Sequence, residues 1–321
     1  MRKVELHLHL DCSLSYSVVS QLAPHITRAQ YEADFIAPPK CSSLLDYLAR
    51  TPAPLALMQT EDALCLVVED LFQQLAADNL LYAEIRFAPL LHLEQGLSAE
   101  KVVEVIDRAT EACIAQTGIE ARLILCTLRH YTQEQSLQTA KLVEQFRNTR
   151  VAALDIAADE AGYPITAHIP AFQYAIEKGL HRTAHAGEAR GADSVWETLR
   201  AFQPTRIGHG VRSIEDPALV QHLAQERIHL EVCPSSNVQT NTVVDYASHP
   251  IDKLYKAGVS LSVNTDARTI TNITLEQEYN KLREAFSWTD AELLHCNREA
   301  LRAAFIDDKT RTRLLAKLNQ P

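Results

Sequence analysis

His7 and His9 stand two residues apart in the run Val4-Glu5-Leu6-His7-Leu8-His9-Leu10-Asp11. On an extended strand this spacing puts both imidazoles on one face, roughly 7 Å apart at Cα, a span that one metal ion bridges. An isolated pair of this kind is more often two hydrogen-bonded interior histidines. Here His185 and Asp266 also close strand-like runs, within His185-Ala186-Gly187-Glu188 and Asn264-Thr265-Asp266. Nitrogen and carboxylate donors without a thiolate suit zinc acting as a Lewis acid. Glu188 follows His185 by three residues, and His209 lies between Gly208 and Gly210, which allow close approach. Taken singly, Glu188 reads as a helix cap and His209 as a core histidine. Beside a metal they supply a proton donor and a group that orients water, the needs of metal-assisted hydrolysis.

Such residues act together only if strand ends gather them. Strand-like runs occur at 3–10, 81–89, 121–129, 151–158, 182–186, 206–209, 229–233 and 259–266, with helical apolar spacing between them. Leu64, Val67, Val68, Leu71 and Leu75 share one helical face after Thr60. Thr132 with Gln135, Thr274 with Gln277, and Thr289 with Glu292 form capping-box patterns. Eight β–α alternations predict an α/β fold, a (β/α)8 TIM barrel spanning residues 1–321 as one unit. The 13–79 stretch is too long for one crossover and predicts a helical insertion after the first strand, placed to act as a lid. The first run alternates Val4, Leu6, Leu8 and Leu10 against Lys3, Glu5, His7, His9 and Asp11. Helices must cover the apolar face, so the polar face points into the barrel. Unpaired groups there cost several kcal/mol each, on the order of the burial penalty for polar atoms, and a divalent metal supplies the pairing.

Composition narrows the partners. The formal net charge of −10 repels phosphate backbones, and no basic patch offsets it, so nucleic acid is not an expected partner. No run approaches 18 uninterrupted apolar residues, which argues against a membrane span. Seven cysteines without a C-x-x-C pair read as reduced core thiols. With no leader-like segment before the first strand, the expected location is the cytoplasm. A neutral or weakly charged small substrate fits this balance; the oligomeric state is not legible.

The ordered motifs resemble the adenosine deaminase family of the metal-dependent amidohydrolase superfamily. Residues Val4 to Asp11 are similar to its first metal motif, and His181-Arg182-Thr183-Ala184-His185-Ala186-Gly187-Glu188 to its central one. Arg206–Gly210, Glu231-Val232-Cys233-Pro234-Ser235-Ser236 and Ser262-Val263-Asn264-Thr265-Asp266 follow in the same order. Tyr82-Ala83-Glu84-Ile85-Arg86, Leu125–His130 and Ala153–Ala157 are less diagnostic matches. The resemblance implies one zinc ion per chain on His7, His9, His185 and Asp266. It implies hydrolytic deamination of adenosine or deoxyadenosine by zinc-activated water, with Glu188 protonating the ring nitrogen. His209 would orient and partly deprotonate the water, Asp11 would contact the ribose end, and the Ala158 N–H would face a purine nitrogen.

Three positions depart from the family pattern. Cys12 and Ala158 stand where glycine is usual, and Ala267 where a second aspartate usually donates to purine N7. Losing that hydrogen bond is worth roughly 1–3 kcal/mol, one to two decades in specificity. Arg268, Asn264 or an ordered water are the candidates to replace it. The alternative substrates are therefore other 6-aminopurines: adenine, a modified adenosine or aminodeoxyfutalosine. From another class, an inactive zinc-binding scaffold would have lost Glu188 or a ligand, and both are retained.

Overall fold

The computed structural model describes residues 1–320. Nine parallel strand segments form two sheets, of five and four strands, that join edge to edge. The first holds β1 (Lys3–His9), β2 (Leu80–Phe87), β3 (Glu120–Leu128), β4 (Val151–Ala157) and β5 (His181–Arg182) in sequence order. The second holds β6 (His185–Ala186), β7 (Arg206–His209), β8 (His229–Val232) and β9 (Leu261–Val263). The expected fifth strand, 182–186, is thus split. Thr183 N–H still bonds the Leu154 carbonyl at 3.0 Å, while Gly208 N–H bonds Ala184 O at 2.8 Å, so this strand passes from one sheet to the other. At the opposite seam Leu8 bridges Asp266, with His9 N–H on Asp266 O at 2.8 Å and Asp266 N–H on His7 O at 3.1 Å. Both seams close, and the result is the (β/α)8 barrel that the alternation predicts.

Capping chemistry places the helices as the sequence indicates. Both halves of the capping box form at Thr132/Gln135, Thr274/Gln277 and Thr289/Glu292, and also at Thr27/Gln30, which the sequence reading passes over. The 13–79 stretch holds the helices Tyr16–Leu22, Arg28–Asp34, Leu44–Leu48 and Pro52–Leu57, then the long helix Glu61–Ala77. Leu64, Val67, Val68, Leu71 and Leu75 are buried on that helix, the stripe its spacing requires.

Several strands fall short of their expected bounds, and two of these ends bear on the site. β1 stops at His9, and Asp11 falls in the 3₁₀ turn Leu10–Cys12. β9 covers only Leu261–Val263 of the expected 259–266. The reason lies in Asn264, whose Oδ1 accepts the Leu6 and His7 N–H groups at 2.8 and 3.2 Å. A side chain thereby replaces the ladder at the seam, and the backbone turns so that Asp266 takes φ +65°.

The barrel interior is ionic where branched apolar side chains are usual. Arg86, Asp155, Glu231, Arg206 and Glu84 are all fully buried and joined to one another. Nearer the seam, Glu5 accepts Thr265 N–H at 2.7 Å and pairs with Arg268 at 3.0 Å.

Candidate active site

The strand ends bring the predicted residues together at the carboxyl mouth. His9 Nε2 lies 3.2 Å from His185 Nε2 and 3.4 Å from Asp266 Oδ1, and His7 Nε2 lies 3.2 Å from the same oxygen. The tightest set of donors is not quite the predicted one. His7, His185, His209 and Asp266 each present an atom within 4.8 Å of all the others. Five candidate ligands therefore surround one point.

Neighbouring groups aim the rings. His7 Nδ1 meets Glu231 Oε2 at 2.9 Å and His185 Nδ1 meets Asp155 Oδ2 at 3.1 Å, which turns both Nε2 atoms inward. Ser236 donates to Asp266 Oδ2 at 2.7 Å and leaves Oδ1 facing the histidines. Among the described residues, the buried His7 Nε2 has no hydrogen-bond partner. An inward-facing lone pair with nothing to accept from is what a divalent cation satisfies, and the nitrogen and carboxylate donors suit zinc.

His209 is held differently. The Ile251 backbone N–H, which can only donate, bonds His249 Nδ1 at 3.1 Å. Burial lowers the His249 pKa to about 3, so its ring is neutral and its proton sits on Nε2. That nitrogen faces Asn237 Oδ1 at 3.3 Å, and Asn237 Nδ2 faces His209 Nδ1 at 3.1 Å. Each bond fixes the direction of the next, so His209 Nδ1 accepts and its ring proton lies on Nε2, 3.5 Å from Glu188 Oε2. Gly208 permits the crowding, since a Cβ there would meet His7 Cε1 at 3.0 Å.

Glu188 is 4% exposed, and its Oε1 has no partner among the described residues. Burial, and then the Asp266 and Glu160 carboxylates, push its carboxyl well above the usual carboxylate range. Its loop is pinned from beneath by Glu160, which accepts the N–H groups of Gly187, Glu188, Ala189 and Arg190 at 2.7–3.0 Å. Asp11 is 5% exposed; one carboxylate oxygen accepts Ala88 N–H at 3.3 Å. Ala158 directly follows β4 at φ +77°, a conformation that costs an L-residue roughly 1–2 kcal/mol, and lines the same pocket as Glu188.

Two proposed replacements for the missing aspartate are otherwise engaged. Arg268 Nη2 is held by Glu5 and Asp78 at 3.0 and 2.9 Å, and Asn264 is spent on the β1 backbone. Ala267 packs instead in an apolar cluster with Cys12, Leu44, Tyr47 and Ile270. Sequence reasoning gave no role to Glu160, Asp155, Glu231, Arg86, Asn237 or His249. Period-two alternation flags Glu84 with Arg86, and Glu231, as inward charges. For Asn237 and His249 no local pattern gives a signal, because their partners lie 28 and 12 residues away.

A closed parallel barrel that gathers imidazoles and a carboxylate at its mouth, beside a buried acid with one free oxygen, defines a metal-dependent hydrolase. Comparison with known proteins carries this further. The chain matches the adenosine deaminase family over residues 2–321. An adenosine deaminase of Clostridium acetobutylicum is 34% identical, with 99% of this chain and 97% of that protein covered. One of Haemophilus ducreyi is 37% identical, covering 99% and 95%. The crystal structure of an adenine deaminase from Arthrobacter aurescens superposes with a TM-score of 0.90 at 26% identity, over 98% of this chain and 97% of that one. The chain belongs to the adenosine deaminase family. Among the described residues, no helix is long and apolar enough to cross a membrane.

Proposed function

We propose that this protein is a zinc-dependent aminopurine deaminase, with adenosine or deoxyadenosine as substrate and one zinc ion held by His7, His9, His185 and Asp266. The observation that carries the reading is the convergence of these donors beside a buried Glu188 carboxyl whose Oε1 has no partner among the described residues. His9 is preferred to His209 as the remaining ligand because the Ile251–His249–Asn237 relay leaves a proton on His209 Nε2. A protonated ring nitrogen has no lone pair to give a metal.

Zinc supplies Lewis acidity, the property that makes water nucleophilic at neutral pH. The remaining work belongs to the chain. Glu188 keeps its proton in the buried site and delivers it to the ring nitrogen beside the amino-bearing carbon as water adds. The carboxylate so formed takes the proton that the water gives up and passes it to the amino group, which leaves as ammonia when the C–N bond breaks. The carboxylate then regains a proton from the new hydroxyl. His209 donates from Nε2 and orients the incoming oxygen. This role is narrower than the family resemblance implies, since the tautomer suits donation and not proton removal. Asp11 offers a carboxylate oxygen to a sugar hydroxyl, and the Ala158 N–H faces the ring. Closure of the pocket by the 13–79 insertion, around one barrel, keeps bulk water from the reacting carbon.

The relatives named adenosine deaminase support adenosine over adenine, a modified adenosine or aminodeoxyfutalosine. The test is ammonia release from adenosine by protein of measured zinc content, before and after chelation. Activity that disappears with zinc and returns with it is expected. Zinc-loaded protein that releases no ammonia from any 6-aminopurine is the scaffold alternative.

A further inference from the structure

The space around the metal cluster has two unlike neighbours. The pocket that holds His185, Glu188, His209 and Asp266 is small, about 50 Å³, enough for the reacting edge of a ring. It shares His9, Cys12, Leu48, Thr51, Ala157 and Ala158 with a chamber of about 380 Å³ that contains Asp11. The rest of any ligand must extend into an adjoining space, and this chamber is continuous with the sugar-facing carboxylate. Its lining away from the metal pocket includes Leu45, Leu55, Leu91 and Leu128. Among the described residues, no lysine or arginine lines it; its carboxyl and imidazole groups are those of Asp11 and Asp159 and of His9 and His130.

A second observation points the same way. Leu45 and Tyr163 are 62% and 45% exposed, two of four large hydrophobic residues left open to solvent among those described, and both line this chamber. Exposed apolar side chains gathered on one concave rim mark a surface that a ligand covers. The other opening beside Glu188 contains Arg212, but that guanidinium is held by Glu215 at 2.6 Å and the Ala189 carbonyl at 2.9 Å. It offers no free cation to a phosphate.

We infer that the chamber selects aminopurine nucleosides whose sugar carries an apolar substituent at its far end, such as a 5′-alkylthio group, and rejects 5′-phosphates. The inference rests on the deaminase reading and deepens it. Leucines reward each added methylene, about fourfold apiece at ordinary burial energies. A phosphate dianion would face two carboxyls with no lysine or arginine to offset them, only the imidazoles of His9 and His130, and such like-charge juxtaposition is disfavoured.

The experiment measures kcat/KM for ammonia release from adenosine, AMP, 5′-methylthioadenosine and 5′-propylthioadenosine with the zinc-loaded full chain. In parallel, calorimetry measures binding of IMP and 5′-propylthioinosine, which have no amino group to lose. We expect the propylthio compound to exceed the methylthio compound by about 15-fold, AMP to fall at least ~100-fold below adenosine, and the propylthio inosine to bind while IMP does not. Leu45→Lys, at an exposed position that the fold tolerates, should raise the AMP-to-adenosine ratio about tenfold with an unchanged Tm. AMP within about tenfold of adenosine, or no gain from methylthio to propylthio, overturns the inference and leaves the deaminase reading standing. Absence of ammonia from all four, with the binding order intact, overturns the deaminase reading and not the chamber's preference.

Discussion

Arg86 ties two of the proposed ligands to one cation. Its Nη1 meets Asp155 Oδ2 at 2.7 Å and its Nη2 meets Glu231 Oε2 at 2.6 Å, and those carboxylates in turn aim His185 and His7. All three charged groups are fully buried. Arg86→Met removes the cation and leaves two carboxylates close together in the core. Breaking a buried pair from one side costs about 3–5 kcal/mol. An unfolding entropy of ~2.1 cal/mol/K per residue gives ~0.7 kcal/mol/K for a chain of 321 residues, so the apo-protein Tm should fall by about 4–8 °C. Loss of carboxylate support behind two ligand imidazoles should also weaken zinc binding by about 10- to 100-fold. Calorimetry of the metal-free protein reads the first effect, and competition against a chromophoric chelator reads the second. Arg86→Lys keeps the charge but cannot span both carboxylates, so it should fall between Met and wild type on both scales. A Met variant with wild-type zinc affinity and a Tm within about 1 °C would refute the idea that one guanidinium positions both rings.

Glu188→Gln should keep its zinc and lose turnover by at least about two decades, the usual worth of a positioned general acid; single-turnover ammonia release beside metal analysis checks it. Ala158→Gly relieves a left-handed alanine worth roughly 1–2 kcal/mol, less about 0.5–1 kcal/mol of added unfolded-state freedom, so urea titration should show a net gain of up to about 1 kcal/mol. Ala267→Asp should restore a donor to purine N7 and raise the kcat/KM ratio of adenosine over 7-deazaadenosine by about tenfold or more. Burial raises the Glu278 pKa to about 7 from 4.5, so the folded state holds a proton there that the unfolded chain has lost. Stability carried by that proton is present below about pH 4.5 and is lost as pH rises to about 7, a change of about 3 kcal/mol. Between pH 5 and pH 8, Glu278→Gln should gain stability relative to wild type by up to that amount, as read by urea unfolding.

Much of this architecture was legible because it rests on local periodicity. The alternation around His7 and His9, the capping boxes and the run of β–α units each need only a few neighbouring residues to declare themselves. What escaped was set by contacts distant in sequence. The side chain of Asn264 ends β9 early by bonding a strand 257 residues away, and no pattern near Asn264 announces it. The split of the fifth strand follows from closing the ring, where Thr183 pairs with one sheet and Ala184 with the other. The proposed choice of His9 over His209 as ligand came from the family resemblance and not from any local pattern, because its physical support is a proton placed by Ile251 through two intermediaries.

Three proposed site residues, Ala158, His209 and Asp266, lie at or just beyond strand ends at the mouth with φ between +60° and +77°. Each such residue costs roughly 1–2 kcal/mol, and together they bend three strand ends toward a common point. That strain persists only if the barrel beneath cannot relax. The buried ion network supplies the rigidity, since its charges meet their partners in one arrangement of the strands, and a shift of any strand would leave a carboxylate or guanidinium unpaired in the core. An interior of branched apolar side chains would tolerate such a shift. The ionic interior and the strained mouth are therefore one device: charge pairing below fixes the strands that hold the ligands above.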